Sequence, residues 1–261
     1  MEKIATQKYG AKFSYDRVVR NVNIDGQGRA TGITLDDGEV VEADLVICNC
    51  DLVYAYNHLL PTTKYSERLA KMQHSLSTVS FYWALNRKLP EFQVHNAFLA
   101  ADYKASFDDI PRFNLSSQFY VNVPSRIDPE AAPPGEDSMV VLVPAGFTSE
   151  SANNMEELVE KAREKVVKEF ESRLGIENFK SFIKFEIVNN PVVWNQKFNL
   201  WRGSILGLHH SLAQILCFRP HQKTPVFANL YFVGASTQPG SGVPIVLCSA
   251  KLLEKQILQD F

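Results

Sequence analysis

The chain has 261 residues and a formal net charge of −2 at pH 7, with 45% hydrophobic and 21% charged residues, the balance of a globular protein able to bury a substantial core. Its 27 basic and 29 acidic residues are scattered rather than blocked, which leaves no electrostatic footprint for nucleic acid and excludes it as the expected partner. No apolar run is long enough to cross a bilayer, and the opening MEKIATQKYG lacks the apolar core of a signal peptide.

Residues 11–50 read as a β-meander: AKFSY, then RVVRNVNI, a turn at DGQG, ATGITL, a turn at DDGE, and VVEADLVICNC. Asp-Gly pairs between alternating runs are hairpin signals. The apolar stretch at 44–50 has the character of a strand covered on both faces, as in a parallel sheet. Asp51 follows as a helix cap with VYAYNHLL behind it, and a second helix fits residues 64–74. The four cysteines, Cys48, Cys50, Cys217 and Cys248, are dispersed and have no metal-ligand spacing. Buried thiols in a reducing compartment are expected, rather than a disulfide framework or a zinc site.

Strand-like runs follow at 76–85, 96–100, 118–123 and 139–143, with PSRIDPEAAPPGEDS as an exposed loop between the last two. An amphipathic helix is predicted over 154–174, capped by asparagines, with acids early and bases later. The segment SILGLHHSLAQILCF sets Ile205, Leu208, Leu212 and Ile215 at helical spacing, as a core stripe or a channel-lining or membrane-facing element. The adjacent His209 and His210 have no carboxylate at ligand spacing, so a metal role is not expected. Asp108 and Asp109 in SFDDIP read as turn residues before Pro111 rather than acid-base machinery. Arg219 in CFRP is a phosphate holder or one half of a surface ion pair. From residue 227 the texture of the opening returns: ANLYFVG is a short buried strand, GASTQPGSG a glycine-rich turn, and GVPIVLCSAKLLEKQILQD a helix with Pro244 in its first turn.

A strand entering a glycine-rich turn and then a helix presents backbone N–H groups and a positive dipole end to whatever lies in front. Glycine at 234, 240 and 242 lets a planar ring or a phosphate approach without a Cβ in the way. A tight crossover with no ligand explains the same residues equally well, and the order is not that of a dinucleotide fingerprint.

NLYFVGASTQPGSGVPIVLCSAKLLEKQIL resembles the C-terminal signature of the carotenoid-type phytoene desaturases, flavin-dependent enzymes of bacteria and fungi. GRATGITLDDGEVVEADLVICNCDLVYAYNHLLP, FNLWRGSILGL and CFRP resemble the same family in the same order, and the wording is closest to its fungal branch. The resemblance implies an α/β (α+β) fold, the C-terminal part of a two-domain FAD/NAD(P)-binding Rossmann-like flavoprotein with an inserted antiparallel substrate domain. Residues 1–60 and 223–261 belong to the FAD-binding domain and 61–222 to the substrate domain. FAD, more than NAD, is the implied cofactor, with Gly234, Ala235, Gln238, Gly240, Gly242, Val243 and Pro244 on its isoalloxazine side. Val18 is implied near the adenine and Asn49 at the end of the first parallel strand.

The resemblance further implies phytoene and related apolar C40 polyenes as substrates, a quinone or oxygen as electron acceptor, and a peripheral intracellular membrane location. Aromatics in VSFYWAL and QFYVNV are available to line an apolar channel. A carotenoid isomerase, a retinol-saturating relative or a non-catalytic product remain alternative readings, and no residue stands out as a catalytic base. Gln238 stands where the family usually carries histidine. The strand, G-x-G-x-x-G turn and helix that cradle the FAD pyrophosphate in this family are not found, so the sequence is expected to be part of a longer product.

Overall fold

The computed structural model describes residues 1–100, 102, 106, 118–146 and 154–261; Asp108 and Asp109 lie outside them. The chain divides into two compact units, Met1–Met72 with Arg219–Phe261, and Gln73–Phe218.

The first unit opens with α1 (Glu2–Tyr9), a polar helix with no buried residue that ends on the left-handed Gly10. Residues 11–15 form no strand. β1 (Val19–Ile24), β2 (Ala30–Leu35) and β3 (Val40–Glu42) then make the expected antiparallel meander. Side-chain caps shape its turns: Asp25 Oδ1 accepts from the N–H groups of Gln27 (2.8 Å) and Arg29 (2.9 Å), and Asp37 Oδ1 from that of Glu39 (3.0 Å).

The apolar run that follows is two strands in different sheets. The chain leaves the meander after Glu42, and β4 (Val46–Cys48) starts a second, parallel sheet. Val46 and Cys48 are buried while Ile47 is 47% exposed, so the strand is covered on one face and not on both. Asp51 caps α2 (Leu52–Tyr54) by accepting from the Tyr54 N–H at 2.9 Å. The chain widens into a π-helical turn over Ala55–Leu59, and α3 (Lys64–Lys71) begins at a reciprocal capping box of Thr63 and Ser66.

The second unit contains β5 (Ser77–Leu85), β6 (His95–Phe98), β7 (Phe119–Asn122), β8 (Asp137–Ala145), α4 (Met155–Leu174), β9 (Ile183–Asn189) and α5 (Pro191–Phe198). Its strands form one antiparallel sheet in the order β6-β7-β8-β5-β9. Period-two alternation turns Val79, Phe81, Trp83 and Leu85 of β5, and Met139, Val141 and Val143 of β8, onto one face. There α4 inserts Ala162, Val166 and Phe170, and the Phe170 ring meets Phe92 (4.8 Å between centroids), Phe179 (4.9 Å) and Phe98 (5.3 Å). Asn154 stands at the N-cap of α4 but makes no side-chain capping bond, so Glu156 and Glu157 complement the helix end by charge alone.

Two carboxylates anchor the rim of this sheet. Asp137, buried at the start of β8, accepts from both arms of the Arg126 guanidinium (2.6 and 2.8 Å), the Leu89 N–H (2.8 Å) and the Ser125 hydroxyl (2.9 Å). The loop between β7 and β8, expected to be simply exposed, is therefore pinned from inside. Glu186 accepts from Trp83 Nε1 (2.6 Å) and Arg163 Nη2 (2.8 Å). Segment 204–218 is helical only from 212 onward, with a π-helical stretch at Gln214–Phe218. Leu208 is fully buried and Leu212 is 78% exposed, so the stripe expected from their spacing does not form.

The chain returns to the first unit as β10 (Leu230–Phe232) and α6 (Val243–Asp260). β10 pairs in parallel with β4, setting Val46 opposite Leu230 and Cys48 opposite Phe232. Tyr56, presented by the π-helical turn, stacks on Phe232 at 5.1 Å and shares a hydrogen bond with Thr224. Cys48 is buried as expected, but Cys50 and Cys248 are exposed.

Candidate functional site

β10 continues for one more bond, Val233 N–H to the Cys48 carbonyl (3.1 Å), and the glycine turn starts at the carboxyl ends of the parallel pair. Ligands of open α/β sheets gather at that end, because the strands stop there and the following helices begin there. Gly234, Gly240 and Gly242 hold φ angles of 130°, 144° and 104°, all in the region that side chains disfavour. A Cβ at Gly242 would meet no atom of the chain within 4 Å. Its requirement for glycine is thus conformational on the protein side, and the space in front of it is open.

The turn is held from behind by residues 219–222. Arg219 is buried, and its Nε donates to the Thr237 carbonyl at 3.1 Å while Nη2 donates to that of Ala235. The Gln238 N–H donates to the Pro220 carbonyl (2.9 Å), and its own carbonyl accepts from Gln222 Nε2 (2.6 Å). Thr237 closes the turn on itself, its hydroxyl donating to the Gly234 carbonyl (3.0 Å), and touches the Ser249 hydroxyl on α6 (3.2 Å). Burial pushes the Arg219 guanidinium below its ordinary pKa. Its burial rules out the surface placement expected of an ion pair, and the contacts to Thr237 and Ala235 make it a brace of main-chain carbonyls. Sequence reasoning missed this because nothing local marks an arginine that donates to peptide oxygens 16 and 18 residues along the chain.

α6 leaves the turn with Gly242 as N-cap and no side-chain cap. Among the described residues no backbone carbonyl accepts from the N–H groups of Gly240 or Gly242. Val243 is 74% exposed, and Gly242 and Pro244 are exposed as well. Of the turn residues expected from the sequence, Gly242, Val243 and Pro244 form an exposed lip, Gly234, Ala235 and Gln238 are half-buried, and Gly240 is buried. Asn49 joins the turn from the end of β4, its Oδ1 lying 3.4 Å from where a Cβ on Gly234 would stand. Val18 lies apart from the turn, just ahead of β1 of the antiparallel meander, with its carbonyl bonded to the Asp36 N–H at 2.9 Å. Backbone donors free of carbonyl partners, an uncapped helix start and absent side chains fit a flat ring with an electron-rich polar edge, and so the flavin end of FAD.

A family model for flavin-containing amine oxidoreductases matches residues 1–252. The chain belongs to that family. Within the amine oxidoreductase group, it is similar to the phytoene desaturase of Phycomyces blakesleeanus, 50% identical across 100% of this chain and 46% of the relative. A phytoene desaturase of Neurospora crassa is 44% identical over 97% of this chain and 45% of its own length. A zeta-carotene-forming phytoene desaturase of Myxococcus xanthus is 40% identical over 99% and 50%. The chain thus spans about half the length of the curated relatives it matches. Among solved structures, an oxidoreductase from Methanosarcina mazei aligns with a TM-score of 0.58 at 20% identity, covering 91% of this chain and 49% of its own. A redesigned putrescine oxidase aligns with a TM-score of 0.59 at 12% identity, covering 94% and 49%. These similarities establish the α/β flavoprotein fold of the amine oxidoreductase family.

Proposed function

We propose that this chain is the portion of a flavin-dependent phytoene desaturase that seats the reactive end of FAD and the polyene. The supporting observation is 50% identity to such an enzyme over the whole length of this chain. The first unit is the FAD-binding part and the second the substrate part. Gly234, Ala235, Gln238, Gly240, Gly242, Val243, Pro244 and Asn49 hold the isoalloxazine, and Val18 lies toward the adenine. FAD bound there supplies a hydride acceptor for an allylic C–H, which no side chain of the protein can provide. The free N–H groups of the turn and the helix start favour negative charge at the ring edge. Arg219, Thr237 and Gln222 keep those groups in place.

The substrate is a long hydrocarbon, so its binding comes from apolar area rather than hydrogen bonds. The open face of the five-stranded sheet supports this role. Tyr82, Val140 and Leu142 are half-buried there, and on β9 Phe185 and Ile187 are 61% and 49% exposed. Segment 206–218 exposes Leu206, Leu212, Ile215 and Phe218, side chains suited to the surface of a membrane that stores such a substrate. Among the described residues no helix is long and apolar enough to cross a membrane, so the association proposed is peripheral. The electron acceptor is a quinone or oxygen.

The test is expression of the full-length protein in a host that accumulates phytoene, with chromatography of the pigments. Conversion to more unsaturated carotenoids is expected. Unchanged phytoene alongside folded, flavin-loaded protein overturns the desaturase reading.

A further inference from the structure

One row of side chains crosses the open face of the five-stranded sheet from edge to edge. His95 on β6 stands opposite Asn122 on β7, Asn122 opposite Val140 on β8, Val140 opposite Tyr82 on β5, and Tyr82 opposite Ile187 on β9. Partners directly across an antiparallel ladder point to the same side, so the five share one face. At about 4.8 Å between strands the row is about 19 Å long. It is apolar from Val140 to Ile187 and polar at the β6–β7 edge.

The polar edge is built around one imidazole. His95 Nδ1 lies 2.5 Å from the Tyr120 hydroxyl and 3.4 Å from Asn122 Nδ2, and the Tyr120 ring stacks on the imidazole. Asn122 Nδ2 also donates to the Val94 carbonyl at 2.9 Å, an acceptor that fixes which end of the amide is nitrogen. Both neighbours therefore aim a hydrogen at Nδ1, and the proton of the neutral ring sits on Nε2. His95 is exposed, and among the described residues nothing accepts from Nε2. A hydrocarbon laid over this edge strips water from the N–H and returns no hydrogen bond, whereas an oxygen acceptor replaces that water.

We infer that the β6–β7 edge is a subsite for a neutral oxygen at a chain end, with His95 Nε2–H as its donor, so that the sheet takes long polyenes bearing a terminal hydroxyl or carbonyl as well as hydrocarbons. This rests on the reading of the open face as the polyene seat.

The test uses the full-length protein and three C20 polyenes, an alcohol, the matching aldehyde and the hydrocarbon without oxygen, titrated by quenching of tryptophan fluorescence. The wild type is expected to bind the alcohol and the aldehyde about fivefold tighter than the hydrocarbon, the net worth of one neutral hydrogen bond. His95→Phe keeps a flat ring without the donor and is expected to bring that ratio to about one. Tyr120→Phe removes the hydroxyl that orients the imidazole and is expected to lose part of the preference, which answers the same question should His95→Phe not fold. Ile187→Ser, at the apolar end, is expected to weaken all three ligands alike. Equal affinities in the wild type, or a preference that survives His95→Phe, overturn the inference. Phytoene conversion without any preference removes the subsite alone. A His95-dependent preference without phytoene conversion keeps the subsite and fails the desaturase reading.

Discussion

The two units spend their residues differently. In the second, sheet and helix close on each other: Phe81, Val141, Val143, Ala162, Val166 and Phe170 are all fully buried, and the rim carboxylates are fully engaged. In the first, only Ser249 and Leu253 of α6 are buried, and Val243, Ile245, Leu247, Leu252 and Leu258 are exposed. A well-packed layer and a helix with an uncovered apolar side teach where the chain is self-sufficient and where it is shaped for something else. Unit two closes on its own core and leaves one face of its sheet open, while unit one leaves an apolar side of its C-terminal helix uncovered.

The contrast is most strongly tested by Phe170→Ala. Deleting a ring that packs against Trp83, Phe92, Phe98, Phe119 and Phe179 inside the layer is expected to cost about 3–5 kcal/mol of stability, measured by denaturant unfolding. A loss below about 1 kcal/mol would show that the layer is not the stable part. Next, Gly242→Ala is expected to cost about 1–3 kcal/mol through backbone strain alone, since its new methyl meets nothing of the chain. In the full-length protein it is expected to lower flavin content well beyond that loss, read by absorbance of the purified protein. Equal flavin content would mean the lip does not face the ring.

A smaller effect concerns pH. Desolvation raises the Glu186 carboxyl, but hydrogen bonds from Arg163 and Trp83 outweigh it and leave its pKa below the ordinary value. A depressed carboxylate adds stability above its unfolded pKa, about 4.3, and that stability disappears as pH falls through the lower folded value. Glu186→Gln is therefore expected to flatten the acid limb of a stability-against-pH curve below about pH 4. An unaltered acid limb would remove Glu186 as a contributor. The smallest change is expected at Gln238, whose anchoring runs through its own N–H and carbonyl. Gln238→His in the full-length protein is expected to leave turnover nearly unchanged. A rise that follows titration near the ordinary histidine pKa of about 6.5 would instead show that the position moves protons.

Local chemistry was readable from sequence where a residue acts on its near neighbours. The Asp25 and Asp37 turns, the Asp51 cap, and the strand, glycine turn and C-terminal helix all followed from short-range rules. Features decided at long range were not. The parallel character of 44–50 was read from its apolar run, but which strands it and Val40–Glu42 would pair with was not: β3 takes β2 as partner and β4 takes β10. β9 went unnoticed because IKFEIVN alternates charged and apolar residues at a sheet edge, and α5 because eight residues give too few turns for a period to show. The even spacing of Ile205, Leu208, Leu212 and Ile215 misled, since helix begins only at 212. The glycines of the lip were legible, and the arginine that shapes them was not.

The parallel pairing of β4 with β10 also sets a schedule. Val46 finds its partner Leu230 only after the whole second unit has been made. At a synthesis rate of about 5–20 residues per second, β4 waits roughly ten to forty seconds for that strand. Throughout that interval the side of Val46, Ile47 and Cys48 that takes β10 stays unpaired on a nascent chain. The second unit, closed on its own core, can fold in the meantime, so the ligand lip is assembled last, when β10 arrives and brings the glycine turn with it.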